Sequence, residues 1–265
     1  MLKKIGNESK NQILNLVMND IFQNPYLYID INAYGLDWDK KILTWVLNRE
    51  DDIISIIYKY YNSLQIFNCK ENNEEELLLI SKFISDNNFN MISGEIEVIS
   101  KIGKYLSKYK LTSGYIMSSK IRDASNNEQV IRAKIGNCCD IARLICSDDN
   151  IGSHYKIDDL AAQIQDRMVN RGCRNYIVLK NNSVLCHAGT YAELDDIAII
   201  GGVVTNELFR KKGLASVVLK ELTSSLLLEN KSPILYCYDQ SILQWYQKLG
   251  WDIVRSCAKL ELKIN

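Results

Sequence analysis

The chain has 265 residues, of which 47% are hydrophobic, and 32 basic side chains balance 32 acidic ones. This balance excludes the net positive charge that attracts a protein to bulk nucleic acid or to anionic membranes. The apolar runs fall short of the ~20 residues of a membrane-spanning helix, and the N-terminal segment lacks the apolar core of a signal peptide. We therefore expect a cytoplasmic protein.

The N-terminal half is predicted to be α/β. Hydrophobic spacing indicates a first helix within residues 8–21. Strands are expected at residues 26–31, 41–47, 53–66, 90–92 and 111–118, and helices at residues 74–84 and 96–106.

A polar, small-residue stretch, Asp123–Gln129, separates two apolar-patterned segments. We place the domain boundary there, which predicts an N-terminal α/β domain over residues 1–124 and a second domain over residues 125–265.

The second half is also predicted to be mixed α/β, with an antiparallel front. Its expected strands cover residues 130–133, 176–179, 184–191, 197–204 and 234–238, and its helices cover residues 140–146, 158–171 and 241–249. Asn181 and Asn182 tolerate positive φ and are expected to turn a hairpin.

Residues 203–215, VVTNELFRKKGLA, lead from the strand through a basic loop into a further helix. The small residues Gly213 and Ala215 would let an anion reach the unpaired N–H groups of the first helical turn, which favour phosphate oxygens. The apolar residues Leu214, Val217, Val218, Leu222 and Leu226 recur at helical spacing, so the helix should pack firmly against a sheet. This pattern predicts a site for a pyrophosphate, and a solvated turn is the plainer alternative.

The motif Arg-x-x-Gly-x-Ala, followed by Asp-x-x-Ile-x-x-x-Tyr-x-x-x-Gly-Trp from Asp239 to Trp251, resembles the GCN5-related N-acetyltransferases (GNAT), particularly their FR47-like branch. The resemblance extends over residues 127–265. It implies a GNAT fold and acetyl-CoA as co-substrate.

The resemblance also assigns cofactor contacts. The backbone of Val203, Val204 and Thr205 would face the pantetheine arm. The loop that would surround the pyrophosphate consists of Arg210, Lys211, Lys212, Gly213, Leu214 and Ala215. Asp239 begins the second motif, where members often have Asn, and a carboxylate suits an anionic cofactor less well.

Two catalytic residues are expected. Tyr246 occupies the position at which the family places the acid that protonates the departing thiolate, and a phenol with a pKa of about 10 is a competent donor. An amine acceptor arrives as ammonium, so a base is needed, and Glu193, Asp195 and Asp196 precede the strand that leads to the loop. Glu193 is our choice of base, and a solvated turn is the alternative for the two aspartates.

The predicted element order of the N-terminal half repeats that of the C-terminal half. We interpret it as a second, degenerate GNAT-like copy, giving tandem mixed sheets flanked by helices. Its loop Asn68–Asn72 contains Glu71 beside Lys70 and is not basic, as a cofactor loop should be, so the acetyl-CoA site is expected in the C-terminal copy. The alternative is an unrelated α/β domain whose element order matches by chance.

The cysteines do not form a recognisable metal or disulfide pattern. They occur singly or adjacent to one another, with no Cys-x-x-Cys pair, at positions 69, 138, 139, 146, 173, 186, 237 and 257. The nearest candidate for a metal site has a ligand spacing that matches no known zinc module; it consists of Cys138, Cys139, Cys146 and His154. We therefore expect buried, reduced thiols and no metal. His187 adjoins Cys186 on a predicted strand, where neighbours point to opposite faces and cannot act as a couple.

The predicted function is acetyl-CoA-dependent transfer of an acetyl group directly to an amine of a small molecule or peptide. The alternative is a protein that binds acyl-CoA as a sensor or scaffold and has no turnover.

Overall fold

The computed structural model describes residues 2–122, 128–149, 151–152, 155–181 and 183–263. The chain forms two compact units. The first contains residues 1–116, 236–241 and 253–265, and the second contains residues 117–235 and 242–252. Each unit therefore draws on more than one stretch of the sequence.

The secondary structure follows nearly the same order in both halves of the chain. The first half contains β1 (Leu2–Ile5), α1 (Lys10–Met18), α2 (Pro25–Tyr34), β2 (Asp37–Trp38), β3 (Ile42–Arg49), β4 (Asp52–Tyr60), β5 (Ser63–Asn68), α3 (Glu74–Asn87), β6 (Met91–Glu95), α4 (Ile96–Gly103) and β7 (Tyr109–Ser119). The second half contains β8 (Val130–Arg132), α5 (Cys138–Cys146), α6 (Ile157–Asn170), β9 (Asn175–Lys180), β10 (Ser183–Glu193), β11 (Ile197–Thr205), α7 (Leu214–Leu228), β12 (Ser232–Cys237), α8 (Gln240–Lys248) and β13 (Trp251–Leu262). Apart from the short β2, the two orders coincide.

The first unit contains a mixed sheet in the order β1-β3-β4-β5-β6-β13. β5 and β6 are parallel, and the other neighbours in this order are antiparallel. One face packs on α3 and α4 through residues such as Ile80 and Ile99, and the other packs on α1 and α2 through Ile13 and Ile31. Helices therefore cover both faces of the sheet.

The second unit has the same plan in the order β8-β9-β10-β11-β12, with only β11 and β12 parallel. Its core includes Ile141, Ile164 and Ile177 from α5, α6 and β9. Val218, Leu222 and Leu226 of α7 are fully buried, as their helical spacing predicts. These contacts fix the position of the α7 N-terminus.

Two predictions for the first half are wrong. Residues 26–31 form part of α2 and not a strand, because Pro25 occupies the first turn and the Asn24 side chain accepts the N–H of Leu27 at 3.2 Å. Residues 53–66 form the hairpin of β4 and β5 and not one strand, since Tyr61 turns the chain at φ +53°.

Some predictions fall on residues outside those described. The predicted domain boundary between residues 124 and 125 lies in the segment 123–127 and stays a prediction. The predicted role of Asn182 in the hairpin turn also stays a prediction. His154 also lies outside the described residues. Within the described part of the chain, no helix is long and apolar enough to cross a membrane.

Candidate functional site

A cavity of about 340 Å³ in the second unit brings together most of the predicted site residues. Its lining consists of Asp148, Val203, Thr205, Phe209, Arg210, Lys211, Gly213, Leu214, Ala215, Ser216, Ile242, Trp245 and Tyr246. Four further predicted site residues do not line the cavity: Glu193, Val204, Lys212 and Asp239.

The N-terminus of α7 opens onto this cavity. Gly213 is the N-cap residue, with φ +79°, and its helix end has no side-chain cap within the described structure. The first α-helical hydrogen bond runs from the N–H of Val217 to the carbonyl of Gly213 at 3.2 Å. The N–H groups of Leu214, Ala215 and Ser216 precede that bond, so they need acceptors from outside the helix. An anion in the cavity can supply them.

The basic loop before α7 contributes unequally to the cavity. Arg210 and Lys211 line it, and the Arg210 guanidinium donates to Oδ2 of Asp148 at 3.0 Å and to the carbonyl of Thr205 at 3.2 Å. Lys212 instead donates to the carbonyl of Leu208 and lies over the ring of Phe209. The positive charge at the cavity therefore comes from Arg210 and Lys211.

One edge of β11 is open beside the cavity. The parallel pairing of β11 with β12 extends from Ile197 to Ile200 and ends there. On the other edge, Ala188 of β10 faces both Gly202 and Val203 of β11, and Gly202 has φ +61°. This is a β-bulge. C-terminal to the bulge, backbone N–H and carbonyl groups of β11 can form hydrogen bonds with the amide groups of a ligand.

Tyr246 of α8 lines the same cavity and is held by aromatic neighbours. Its ring meets Trp245 edge-on at 4.8 Å and Trp251 at 6.3 Å between centroids. Only 6% of the residue is exposed. The phenol therefore has a fixed position in the cavity wall.

The C-terminal half matches a known family. Residues 168–257 match the family model described as GNAT acetyltransferase. This stretch is therefore similar to a GNAT acetyltransferase domain. The family uses acetyl-CoA, and its match and fold support an acetyl-CoA-dependent acetyltransferase in general.

Several solved GNAT structures are similar over the whole chain. A GCN5-related N-acetyltransferase from Sphaerobacter thermophilus superposes with a TM-score of 0.66 at 11% identity, covering 100% of this chain and 96% of that one. A GNAT-family acetyltransferase from Colwellia psychrerythraea gives 0.61 at 12% identity, covering 99% and 100%. A tandem GNAT protein from the clavulanic acid biosynthesis pathway gives 0.62 at 9% identity, covering 100% and 99%.

At such low sequence identities, these superpositions show likeness of fold alone. They confirm the predicted mixed α/β, tandem GNAT-like fold. No protein with curated annotation matches the chain significantly.

Glu193 lies in a buried ion-pair network. Oε1 and Oε2 accept hydrogen bonds from Nε and Nη2 of Arg174 at 3.0 and 2.8 Å. Oε1 also accepts the Thr190 hydroxyl at 2.6 Å, and Oε2 the Lys231 ammonium at 3.2 Å. This arrangement favours a structural role for Glu193, and its role as base in a GNAT reaction stays a prediction. Asp195 and Asp196 are exposed in the turn that follows.

Asp239 caps the start of α8. Its Oδ1 accepts the N–H of Ser241 at 2.8 Å, and hydrogen bonds from Ser241 lower the pKa of the carboxyl group. A carboxylate at this position is therefore explained by the helix end, and its contact with a cofactor stays a prediction.

The corresponding helix start in the N-terminal copy is capped and acidic. The side chain of Asn73 accepts the N–H of Glu76, and the Glu76 carboxylate accepts the N–H of Asn73, both at 2.9 Å. Glu74, Glu75 and Glu76 also make the first turn of α3 acidic. This capping box occupies one donor of the first turn, the N–H of Glu76, and the three carboxylates repel a phosphate.

The cysteines are free thiols. Cys138, Cys173, Cys186, Cys237 and Cys257 are buried, whereas Cys139 is exposed. Burial raises the pKa of Cys173, Cys186 and Cys257 to about 11, so these thiols stay protonated near neutral pH. The described residues contain no group of His, Cys, Asp and Glu side chains suited to hold a metal ion.

Sequence reasoning missed His187 as a site residue. Its imidazole does not form a couple with Cys186; it contacts Gly202 of the bulge and Asn175 of β9. A histidine within an apolar strand is the only local signal, and its partners are identified by strand register alone.

Proposed function

We propose that this protein is an N-acetyltransferase that moves an acetyl group from acetyl-CoA directly to an amine, with the cofactor bound in the C-terminal copy. The observation that carries the proposal is the single cavity that joins an uncapped helix N-terminus, the edge of β11 and the buried Tyr246. We also propose that this copy belongs to the FR47-like branch, on the motif formed by Arg210, Gly213 and Ala215.

The helix end supplies the binding site for the pyrophosphate. The N–H groups of Leu214, Ala215 and Ser216 would donate to phosphate oxygens, and the helix dipole adds to their attraction. Arg210 and Lys211 bring positive side chains to the same wall. Gly213 leaves room for close approach, because a Cβ placed there would meet no described atom within 4 Å.

The edge of β11 supplies the site for the pantetheine arm. The backbone of Val203, Val204 and Thr205 can pair with the arm as a neighbouring strand would. The Val204 side chain is buried, so a contact from this residue is made by the backbone. A backbone N–H here, from Val204 or its neighbour, would polarise the thioester carbonyl.

Tyr246 supplies the proton for the leaving thiolate. A phenol and an alkyl thiol have comparable basicity, so proton transfer between them is feasible. Amine and thioester held together in one cavity would gain rate from their proximity, with no covalent enzyme intermediate. As the new C–N bond forms and the C–S bond breaks, the amine nitrogen would release its proton to a base, for which Glu193 stays our prediction.

We propose an amine of a small molecule or peptide as acceptor and a cytoplasmic location. The balanced charge of the chain gives no electrostatic reason to expect nucleic acid or a membrane as partner.

Calorimetric titration of the full chain with acetyl-CoA tests the proposal. Gly213→Glu should abolish binding because it adds bulk and negative charge at the anion site. Gly172→Glu is the matched control, since Gly172 also has positive φ, at +65°, and open space around it, yet does not line the cavity. Both variants should suffer similar backbone strain.

Unchanged affinity in Gly213→Glu would refute the proposed cofactor site. Binding that is followed by no CoA release with any member of an amine panel would instead identify a sensor or scaffold.

A further inference from the structure

His187 is fully enclosed beside the β11 bulge. Its exposed fraction is 1%, and its Nδ1 lies 2.6 Å from the carbonyl oxygen of Gly202. A carbonyl oxygen can only accept, so Nδ1 carries the proton and donates it. Burial, with a smaller contribution from the positive charge of Arg167, lowers the pKa of His187 to about 4, although the bond to Gly202 opposes the shift. The ring is therefore neutral near pH 7.

The surrounding groups fix the orientation of the ring. Nε2 lies 2.8 Å from Oδ1 of Asn175. Because a neutral ring with its proton on Nδ1 has a lone pair on Nε2, we assign the Asn175 amide with its oxygen and nitrogen exchanged, so that its NH2 group donates to Nε2. Tyr191 covers the bulge, because a Cβ on Gly202 would lie 2.8 Å from its hydroxyl oxygen. The Arg167 guanidinium stacks on Tyr191 at 4.5 Å, and burial raises the pKa of Tyr191 to about 12. Arg167 is thus the charged group that faces this cluster.

The bond to Gly202 also determines the direction of a neighbouring donor. Gly202 and Val203 are joined by a trans peptide, in which the carbonyl and the following N–H point in opposite directions. With the Gly202 carbonyl directed at His187, the Val203 N–H points away from the imidazole. Val203 lines the cavity.

We propose that His187 is a positioning residue of the transfer site. Its Nδ1–H bond to Gly202 holds the bulge so that the Val203 N–H is aimed at the thioester carbonyl. Gly202 has φ +61°, and because glycine is conformationally permissive, its own sterics do not hold the following peptide in one orientation. The inference rests on the proposed function, because it assigns that donor a target in acetyl-CoA.

Two isosteric variants separate the two ring nitrogens. His187→Asn keeps an N–H close to the Nδ1 position and retains the bond to Gly202, whereas His187→Gln places its amide near the Nε2 position. Both remove the buried ring, so the stability lost should be similar in the two. A merely structural role predicts that they behave alike.

The readout is the thioester itself. The carbonyl stretch of bound acetyl-CoA, labelled with carbon-13 at the acetyl carbonyl, should lie at lower wavenumber than in solution for wild type and His187→Asn, and should return toward the solution value in His187→Gln. The preference for acetyl-CoA over CoA in calorimetry should fall about fivefold in His187→Gln alone, as expected for one lost hydrogen bond. Equal spectra and equal preferences in the two variants would overturn the proposal.

A measurement on wild type needs no variant. The chain has 2 histidines, so labelling histidine with nitrogen-15 gives two ring systems to assign by NMR. A neutral Nδ1–H tautomer for His187 is required, and an Nε2–H tautomer would overturn the inference even if both variants fail to fold. Failure of wild type to bind acetyl-CoA would refute the proposed function, while the tautomer would still report on the bond to Gly202.

Discussion

Arg174 and Glu193 form a buried, bidentate ion pair, in which only 5% and 3% of the two side chains are exposed. The same guanidinium also donates to Glu229 at the C-terminal end of α7, and its hydrogen bonds to Glu229 and Glu193 raise the pKa of Arg174. The pair therefore connects the strands of the second unit to the helix whose other end opens onto the cavity.

Glu193→Gln should destabilise the protein by about 3 kcal/mol, because it leaves a buried guanidinium with less compensation. Urea unfolding measures this loss. Glu229→Gln is the control: 48% of the Glu229 side chain is exposed, so its loss should stay below about 1 kcal/mol. Full stability of Glu193→Gln together with lost turnover would instead support the base role predicted from the sequence.

Tyr246→Phe should reduce turnover about 100-fold and leave the affinity for acetyl-CoA unchanged, because it removes the proton donor and keeps the ring between its tryptophan neighbours. CoA release with a panel of amines and calorimetry measure the two effects. Tyr105→Phe, at an exposed tyrosine that bonds Glu74, is the control and should leave both unchanged. Unreduced turnover in Tyr246→Phe would exclude this phenol as the acid.

The features predicted correctly are those that neighbouring residues determine. α7 follows from Gly213 and the spacing of Val218, Leu222 and Leu226, all within one segment. α2 was predicted wrongly because residues 26–31 are rich in Tyr and Ile, which have high β propensity, and Pro25 with the Asn24 cap outweighs that propensity.

The parts of the site that could not be predicted depend on contacts between distant segments. The bulge at Gly202 arises from the register of β11 against β10, and a glycine in a strand does not reveal that register. Glu193 meets Arg174 across the hairpin of β9 and β10, so a local pattern of carboxylates could not distinguish an ion-pair partner from a base.

Asp148→Asn should tighten the binding of acetyl-CoA about fivefold. Asp148 contributes a carboxylate to the cavity wall and bonds Arg210 at 3.0 Å. Its removal takes away a charge that repels phosphate and frees the guanidinium, an effect of about 1 kcal/mol. Asp149→Asn is the control, since Asp149 is exposed and does not line the cavity. Weaker binding in Asp148→Asn alone would mean that the Asp148–Arg210 bond organises the loop.

The stability of the protein should depend on pH through His187. The unfolded histidine has a pKa of 6.5 and the folded one a pKa of about 4, so between these values the unfolded chain binds a proton that the folded protein does not. The contribution of neutral His187 to the free energy of unfolding is therefore fully present above pH 6.5. It is lost as the pH falls toward 4, which lowers the stability by about 3 kcal/mol.

His187→Asn removes this contribution. Carboxyl groups with lowered pKa, such as those of Glu76 and Glu229, act in the same direction in both proteins and cancel in the difference. Urea unfolding of wild type and His187→Asn at a series of pH values measures that difference, and parallel curves would show that the folded histidine titrates with an ordinary pKa.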